Sequence, residues 1–497
     1  MKKIIYLTII IPGISLILSS CDDFLDRKPI SELTAEMQGI DPYVKDAPKI
    51  NNAEQAEAQL SSAYNAFGGE FYQLDVYLNG DAQSDNCYGG ELKAQTIQLD
   101  EYSLDASNGN VSRDWGYMYR QIGVCNTLIE WVPKVVDAAL TETRRTEIVA
   151  EASYIRAQCY FNLVRLYGAC PLTLKDIPAI TNENFDEIYP LLYPPREEVD
   201  AIYDQIIKDM ETAAAGVADY SSSKFKVTKP VVYSKLAEIY ATKGAPGNID
   251  WNKVLEYASK VTTNPNYRML DNFADVFKVS GGDLANPNSA ESIFELECVH
   301  NTSTGNWAYY MFIGTDWRKF CTPSIDLVNA FKAEGDVVRL SVSVKFDKAT
   351  WSDQDWDSNN YPFCYKIQGP DNTNIIMIRL PHVMLLEAEA RNELGDLAGA
   401  KTIVNKIRAR AKLSETTANN QQDMRLAIEK ERRLELAFEG YRWFDLKRTG
   451  RLYDVMKSCS DKQNKNAYRL ADGTRWLWPI PQAELDLNTS LTQNDGY

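Results

Sequence analysis

Histidine is scarce: His300 and His382 are the only two in 497 residues. That argues against His-rich zinc centres and against hydrolases that need more than one imidazole. Basic residues are outnumbered, 53 Lys and Arg against 69 Asp and Glu, for a net charge of −16. No general positive field is left to attract nucleic acid. No two cysteines form a CxxC pair, so metal and redox readings have no spacing to stand on. Most cysteines are expected in the core as small apolar residues. What is present is an ordinary globular composition, 44% hydrophobic and 25% charged, too apolar for a disordered chain. The length fits two to four domains or one large repeat assembly. Aromatics are plentiful, with 28 Tyr, 16 Phe and 10 Trp.

The chain opens with Lys2 and Lys3, an apolar run from Ile4 to Leu18, then Ser19, Ser20 and Cys21. A basic start, an apolar stretch and small residues before a cleavage point describe an export signal over residues 1–20. The run is shorter than the roughly 20 residues a bilayer helix needs, and Pro12 and Gly13 interrupt it. Leu18-Ser19-Ser20-Cys21 resembles the lipobox of bacterial lipoproteins, which implies cleavage before Cys21 and acylation of that cysteine, palmitate included. Several acyl chains on one cysteine hold a protein firmly, because one chain alone binds only marginally. Asp22, Asp23 and Asp26 follow in a polar stretch to Lys49, which reads as a tether and N-terminal arm over 21–49. Such acidity resembles signals that send lipoproteins to the outer face of the outer membrane in some bacteria. In others an Asp after the Cys marks retention at the inner membrane.

The rest is dominated by helical spacing. Residues 150–167 place apolar or aromatic side chains at 154, 157, 160/161, 164 and 167, the period of a buried helical face. Gly168 can end that helix and Pro171 blocks its continuation. Residues 196–217 predict a second amphipathic helix. Ala237 to Gly244 echoes Ala388 to Gly395, and each is followed by an apolar second helix, 251–260 and 397–411. Small residues, a terminal Gly and an apolar second helix are the mechanics of tetratricopeptide-type hairpins. Further helices are expected near Leu60 to Phe67, from Trp115 to Trp131 with Trp115 in the core, and from Asp423 to Lys447. Residues 264–380 and 456–497 hold most of the Gly, Pro, Asn and Trp, with short strand-like runs such as Ile293 to Leu296. The expected fold is mainly α, helical hairpins carrying long loop-rich excursions and a few short strands.

Two C-terminal segments are specific. Glu431 to Arg448 reads ERRLELAFEGYRWFDLKR, which resembles the signature helix of the SusD/RagB family. Trp478 to Leu485, WPIPQAEL, with the ending Leu491 to Tyr497, resembles that family's terminal motif. The lipobox, Arg156 to Gly168 with Pro171-Leu172, and Asn405 to Ala411 also fit, so the resemblance covers nearly the whole mature chain. It implies a helical N-terminal region over 50–280 and a C-terminal region over 281–497, in one integrated unit. It also implies a lipid-anchored outer-membrane protein exposed at the cell surface. Such a protein captures a glycan as lid of a SusC-like TonB-dependent barrel, with no catalysis. The signature segment reads as architecture: Glu431, Glu435 and Glu439 are four apart, and Arg432 and Arg433 can pair with them across a turn. The competing reading of these acids is a catalytic carboxylate pair.

A glycan site wants Trp or Tyr planes with Asp, Asn or Arg at the rims. Three loop regions offer this: Asp81 to Gly90, with Asp85, Asn86 and Tyr88; Asn306 to Arg318, with Trp307, Tyr309, Tyr310 and Trp317; and Trp351 to Tyr361, with Trp356 between acids. The acidic loops also permit a calcium ion. Three functions compete. The first is glycan capture. The second keeps the fold and role with peptide or another cargo, and the third is a surface glycoside hydrolase using two carboxylates.

Overall fold

The computed structural model describes residues 48–89, 94–180, 184–280, 283–299, 302, 305–312, 319–370 and 372–497. The export signal, Cys21 and Trp317 lie outside these. The chain divides into Met1–Lys49 and Ile50–Tyr497, and the elements below belong to the second unit.

Ten helices build the scaffold: α1 (Ala53–Asn65), α2 (Gly109–Trp131), α3 (Glu142–Tyr167), α4 (Val199–Gly216), α5 (Lys229–Tyr240), α6 (Trp251–Thr262), α7 (Leu380–Glu393), α8 (Leu397–Arg410), α9 (Gln421–Glu435) and α10 (Arg442–Arg448). Neighbours in the chain pack on one another, α2 on α3, α3 on α4, α4 on α5 and α5 on α6. The array then continues through α6 on α7 and α7 on both α8 and α9. Helix α3 starts at Thr141, whose hydroxyl accepts the Arg144 N–H, and ends at Gly168 with φ +74°. It is buried on nearly every side from Ala150 to Tyr167 because α2 and α4 flank it. Arg156 on α3 clamps Asp209 on α4 through Nε (2.8 Å) and Nη2 (2.7 Å).

The echoing hairpins have the same punctuation. Pro230 opens α5 and Pro381 opens α7, where a missing N–H costs nothing. A positive-φ glycine follows each, Gly244 at +76° and Gly395 at +89°. Asp250 then caps α6, and Asp396 caps α8, by accepting backbone N–H groups. Trp115 is in the core, edge-on to Tyr167 at 5.0 Å.

Eight short strands pair two by two among the described residues: β1 (Cys87–Tyr88) with β5 (Thr322–Pro323), β2 (Val279–Ser280) with β3 (Asp283–Leu284), β4 (Ser292–Leu296) with β8 (Ile375–Arg379), and β6 (Val344–Asp347) with β7 (Tyr361–Cys364). All four pairs are antiparallel. One hydrophobic core runs from Ile50 to Leu491 and takes in helices and strands alike.

The last helix differs from expectation. Asp423 to Lys447 is two helices, α9 and α10, because the chain turns at Phe438 (φ +61°) and Gly440 (φ +80°). The freed N–H groups of Phe438 and Gly440 donate to the buried Asp81 carboxylate at 3.3 and 2.7 Å. Gly80 lies against this turn so closely that a Cβ there would meet the Gly440 carbonyl oxygen at 2.1 Å. The cations facing the signature acids also differ from expectation. Arg432 pairs with Asp445 and Arg433 with Asp85, each turned away from the glutamates. Glu435 instead takes Arg379 at 2.5 Å and Arg339 at 3.2 Å and also pairs with Arg410. Glu439 takes Arg379 at 2.7 Å and Lys366 at 2.6 Å, and Glu431 takes Arg339 at 2.7 Å and Arg408 at 3.1 Å.

The two glycine environments predict opposite outcomes. Gly80→Ala forces the turn against its neighbour and costs about 3 kcal/mol. Gly123→Ala, on an exposed face of α2 with nothing within 4 Å of the new Cβ, gains about 0.5–1 kcal/mol. Denaturant midpoints of the two variants against the parent check both signs.

Candidate ligand-binding site

Strand β1 brings the first loop region beside the chain that leaves the second, with Cys87 opposite Pro323 and Tyr88 opposite Thr322. The third region joins at the same place. The Tyr88 and Tyr361 hydroxyls both donate to Asp353 Oδ2 at 2.7 Å, and Trp356 Nε1 donates to the Pro323 carbonyl at 3.0 Å. Three stretches far apart in sequence therefore converge around β5.

Within the first region the polar side chains turn inward. Asp81 accepts from Asn86 Nδ2 at 2.9 Å besides the two backbone N–H groups, and burial pushes its carboxyl up to about 7. Asp85 accepts from Arg442 Nε at 2.8 Å and Nη2 at 3.0 Å, with Arg433 at 3.1 Å. Burial pushes the Asp85 carboxyl up, but the two guanidinium groups outweigh it and hold it down to about 2. Asn86 Oδ1 accepts Arg433 Nε at 3.1 Å. Tyr88 is 3% exposed, and the Lys465 ammonium sits 4.7 Å from its ring centre. Asp85, Asn86 and Tyr88 thus spend their polar atoms inside the protein.

The second region divides. Asn306 is buried and donates to the Thr373 carbonyl at 2.8 Å. The Trp307 N–H donates to Gln73 Oε1 at 3.0 Å, and its half-buried ring packs on the core edge. The short helix Ala308–Phe312 inserts Phe312 against Tyr77 at 5.0 Å. That anchoring leaves Tyr309 half-buried and Tyr310 38% exposed, their rings edge-to-face at 5.3 Å. Lys345 on β6 interacts with both Tyr309 and Tyr365 and pairs with Asp347 at 2.8 Å. Tyr309 and Tyr310 thus offer a partly exposed ring pair, and the Lys345 ammonium lies 5.8 Å from the ring centre of the half-buried Tyr365. Tyr365 and Lys345 were not legible as candidates in the sequence. The only signal is the alternation along β6, where Lys345 and Asp347 face out while Val344 is buried.

The third region is mostly plug. Trp356 lies against Phe346 at 5.9 Å, and Trp351 against Tyr361 at 5.7 Å and Phe363 at 6.4 Å. Lys319, the first described residue after the segment containing Trp317, lies 5.3 Å from the Trp351 ring centre. A cleft of 450 Å³ elsewhere is lined by Trp251, Glu393, Arg425, Glu429 and Arg451 among others, and none of its lining comes from the three loop regions. Its charges pair among themselves, Arg425 with Glu393 at 2.6 Å and Arg451 with Glu429 at 3.0 Å.

Asp85 predicts an acid-side signature. Its folded pKa, about 2, lies below the ordinary 3.8. The stabilisation is therefore full above pH 3.8 and lost as pH falls toward 2, by about 2 kcal/mol. The stability difference between parent and Asp85→Asn should be constant above about pH 4 and shrink below it. Asp85→Ala at neutral pH takes the paired carboxylate from the buried Arg442 and the part-buried Arg433 and costs about 3 kcal/mol, read from denaturant unfolding.

Comparison with known proteins adds to this geometry. A family model described as the SusD family matches residues 351–497, and one described as starch-binding associating with outer membrane matches residues 23–241. SusD-like protein P2 of Formosa agariphila is 26% identical, over 97% of this chain and 98% of its own. A SusD-like protein of Bacteroides ovatus is 24% identical, over 88% of this chain and 81% of its own. Among solved structures, a laminarin-binding SusD-like protein superposes with a TM-score of 0.73 at 23% identity, covering 90% of this chain and all of that one. A SusD superfamily protein from Bacteroides vulgatus also gives 0.73, at 20% identity, covering 89% and 99%. Two family models matching separate stretches, relatives aligned end to end and the shared mainly helical fold place the chain in one group: it belongs to the SusD/RagB family.

Proposed function

We propose that this chain is a glycan-binding lipoprotein of the cell surface, anchored in the outer membrane through acylated Cys21. It captures polysaccharide or oligosaccharide without cleaving it, as lid of a SusC-like TonB-dependent barrel. The observation that carries the reading is the partly exposed Tyr309–Tyr310 ring pair with the Lys345–Asp347 ion pair in its neighbourhood, on a chain of this family. The C–H faces of a sugar lie on tyrosine rings while its hydroxyls reach the charged pair. The laminarin-binding relative supports a glycan as cargo. The sequence adds Trp317, five residues beyond the helix Ala308–Phe312 that bears Tyr309 and Tyr310, and Trp307, just before that helix, as further stacking planes.

The acids of the signature segment support the non-catalytic reading: Glu431, Glu435 and Glu439 are held in ion pairs with arginine and lysine, which suits framework. Affinity for one short ligand should fall between micromolar and millimolar, roughly −8 to −4 kcal/mol. Longer chains spanning several contacts gain by avidity.

The test is calorimetry of the chain begun after Cys21 against a panel of polysaccharides, oligosaccharides and peptides. Glycan binding is expected, weakened about tenfold by Tyr310→Ala, on the order of 1.4 kcal/mol, and abolished by Trp317→Ala with the fold intact. Binding of peptides alone moves the cargo and keeps the lid. New reducing ends released with turnover, lost on mutating one Asp or Glu, would defeat the capture reading. Purification of the anchored form in mild detergent is expected to bring a large barrel protein with it, and recovery of the lipoprotein alone counts against the lid.

A further inference from the structure

Cys87 on β1, Cys321 just before β5 and Cys364 on β7 come from three separate stretches of chain. Their sulfurs nevertheless lie within 4.8 Å of one another. All three side chains are buried, and Cys364 Sγ donates to the Cys321 carbonyl at 2.9 Å. A single buried cysteine is a small apolar filler. Three thiols facing one point are a set of soft ligands. Three sulfurs around one ion, each at about 2.3 Å, stand about 4 Å apart, a spacing this trio reaches by small side-chain rotations.

We propose that Cys87, Cys321 and Cys364 form a binding site for a divalent thiophilic cation of the zinc class, held by three thiolates where β1, β5 and β7 meet. Binding forms three metal–sulfur bonds and breaks three S–H bonds. Three protons leave to solvent, and no electron is transferred. The charge decides the valence. Three thiolates with a divalent ion leave a net −1, and with a monovalent ion −2, in a place from which water is excluded and unbalanced charge is costly. The buried Lys462 ammonium, which donates to the Ala82 carbonyl at 2.6 Å and pairs with Asp100, acts on Cys321 as a positive charge while Asp100 acts as a negative one, so the surroundings have no positive charge to spare for −2. Three protein ligands leave one tetrahedral position for a small exogenous group. No His, Asp or Glu joins the trio within the same reach among the described residues. A second cluster, Asp326, Cys459 and Asp461, is a poorer candidate: Asp326 Oδ2 already takes the Ser460 N–H at 3.2 Å and hydroxyl at 2.9 Å, and Cys459 Sγ donates to Asp461 at 2.9 Å.

An ion at this point would tie together the three strands that carry the loop regions, whatever those loops bind. The site therefore stands or falls independently of the cargo. The full chain, reduced, stripped of metal and held in detergent, is titrated with Cd2+ alone as a spectroscopic stand-in for Zn2+. One equivalent per chain is expected, with the ultraviolet thiolate-to-cadmium charge-transfer band and a raised thermal midpoint. Zn2+ should displace it. Cys321→Ser should lose the band and the equivalent, while Cys125→Ser, a buried thiol on α2 outside the trio, keeps both. If Cys321→Ser does not fold, the parent decides the matter. Cd2+ should slow alkylation of Cys87, Cys321 and Cys364 at least tenfold relative to Cys125 in mild denaturant. No band in the parent, an unchanged band in folded Cys321→Ser, equal alkylation with and without Cd2+, or a native disulfide within the trio would each overturn the site.

Discussion

A carboxylate with almost no contact with water stays charged only if cations are brought to it, and Glu435 is such a group. Arg339, Arg379 and Arg410 converge on its two oxygens, and these attractions outweigh burial and hold the acid well below its ordinary range. The same cations and their neighbours reach Glu431, Glu439, Glu291 and Asp336. Five acids therefore face Arg339, Lys366, Arg379, Arg408 and Arg410. Removing any one member leaves an uncompensated buried charge, a penalty of about 3–5 kcal/mol. The members come from the approach to β4, a short helix at 337–343 and its cap, β7's continuation, β8, α8, α9 and the turn after α9. The network thus specifies how helices and strands meet, a job that apolar packing, being non-directional, does less sharply.

That requirement alone would not break the helix after α9. Were the helix continuous, Glu439 would lie on the same face one turn beyond Glu435, still among cations. The turn at Phe438 and Gly440 does something else: it presents two N–H groups to Asp81 and lets Gly80 approach backbone to backbone. Residues 80–86 are thereby fastened to the signature segment a second time, through Asp85 and the guanidinium groups of Arg433 and Arg442. The glycine in the middle of ERRLELAFEGYRWFDLKR marks this junction.

The helices were legible because their periodicity is local: the spacing at 154–167, the stop at Gly168 and the paired hairpins each need only a dozen residues of context. The strand at Ile293 to Leu296 was visible for the same reason. The inward turn of Asp85 and Asn86 was not, since a loop rich in Asp, Asn and Gly reads alike whether its polar atoms meet water or arginine. The partners lie some 350 positions away in the chain. Arg432 and Arg433 misled in the same manner. Helical spacing offers them the nearby glutamates, but tertiary packing supplies Asp445 and Asp85. The thiol trio follows no spacing rule at all, because strand pairing alone brings 87, 321 and 364 together.

These attachments also shape the loop face. Asp353 fixes Tyr88 and Tyr361 with two hydrogen bonds, Trp356 is tied to Pro323, and Phe312 anchors the turn that bears Tyr309 and Tyr310. Each such contact is made before any ligand arrives, so the conformational entropy of ordering these loops is already spent in folding. A ligand that meets the rings in place loses less on binding than one that must first arrange them. For a weak single-site binder that saving is a large fraction of the total. A capture surface of the kind proposed therefore works best on short, well-anchored segments, and Tyr309 and Tyr310 sit on one, held by Phe312 against Tyr77.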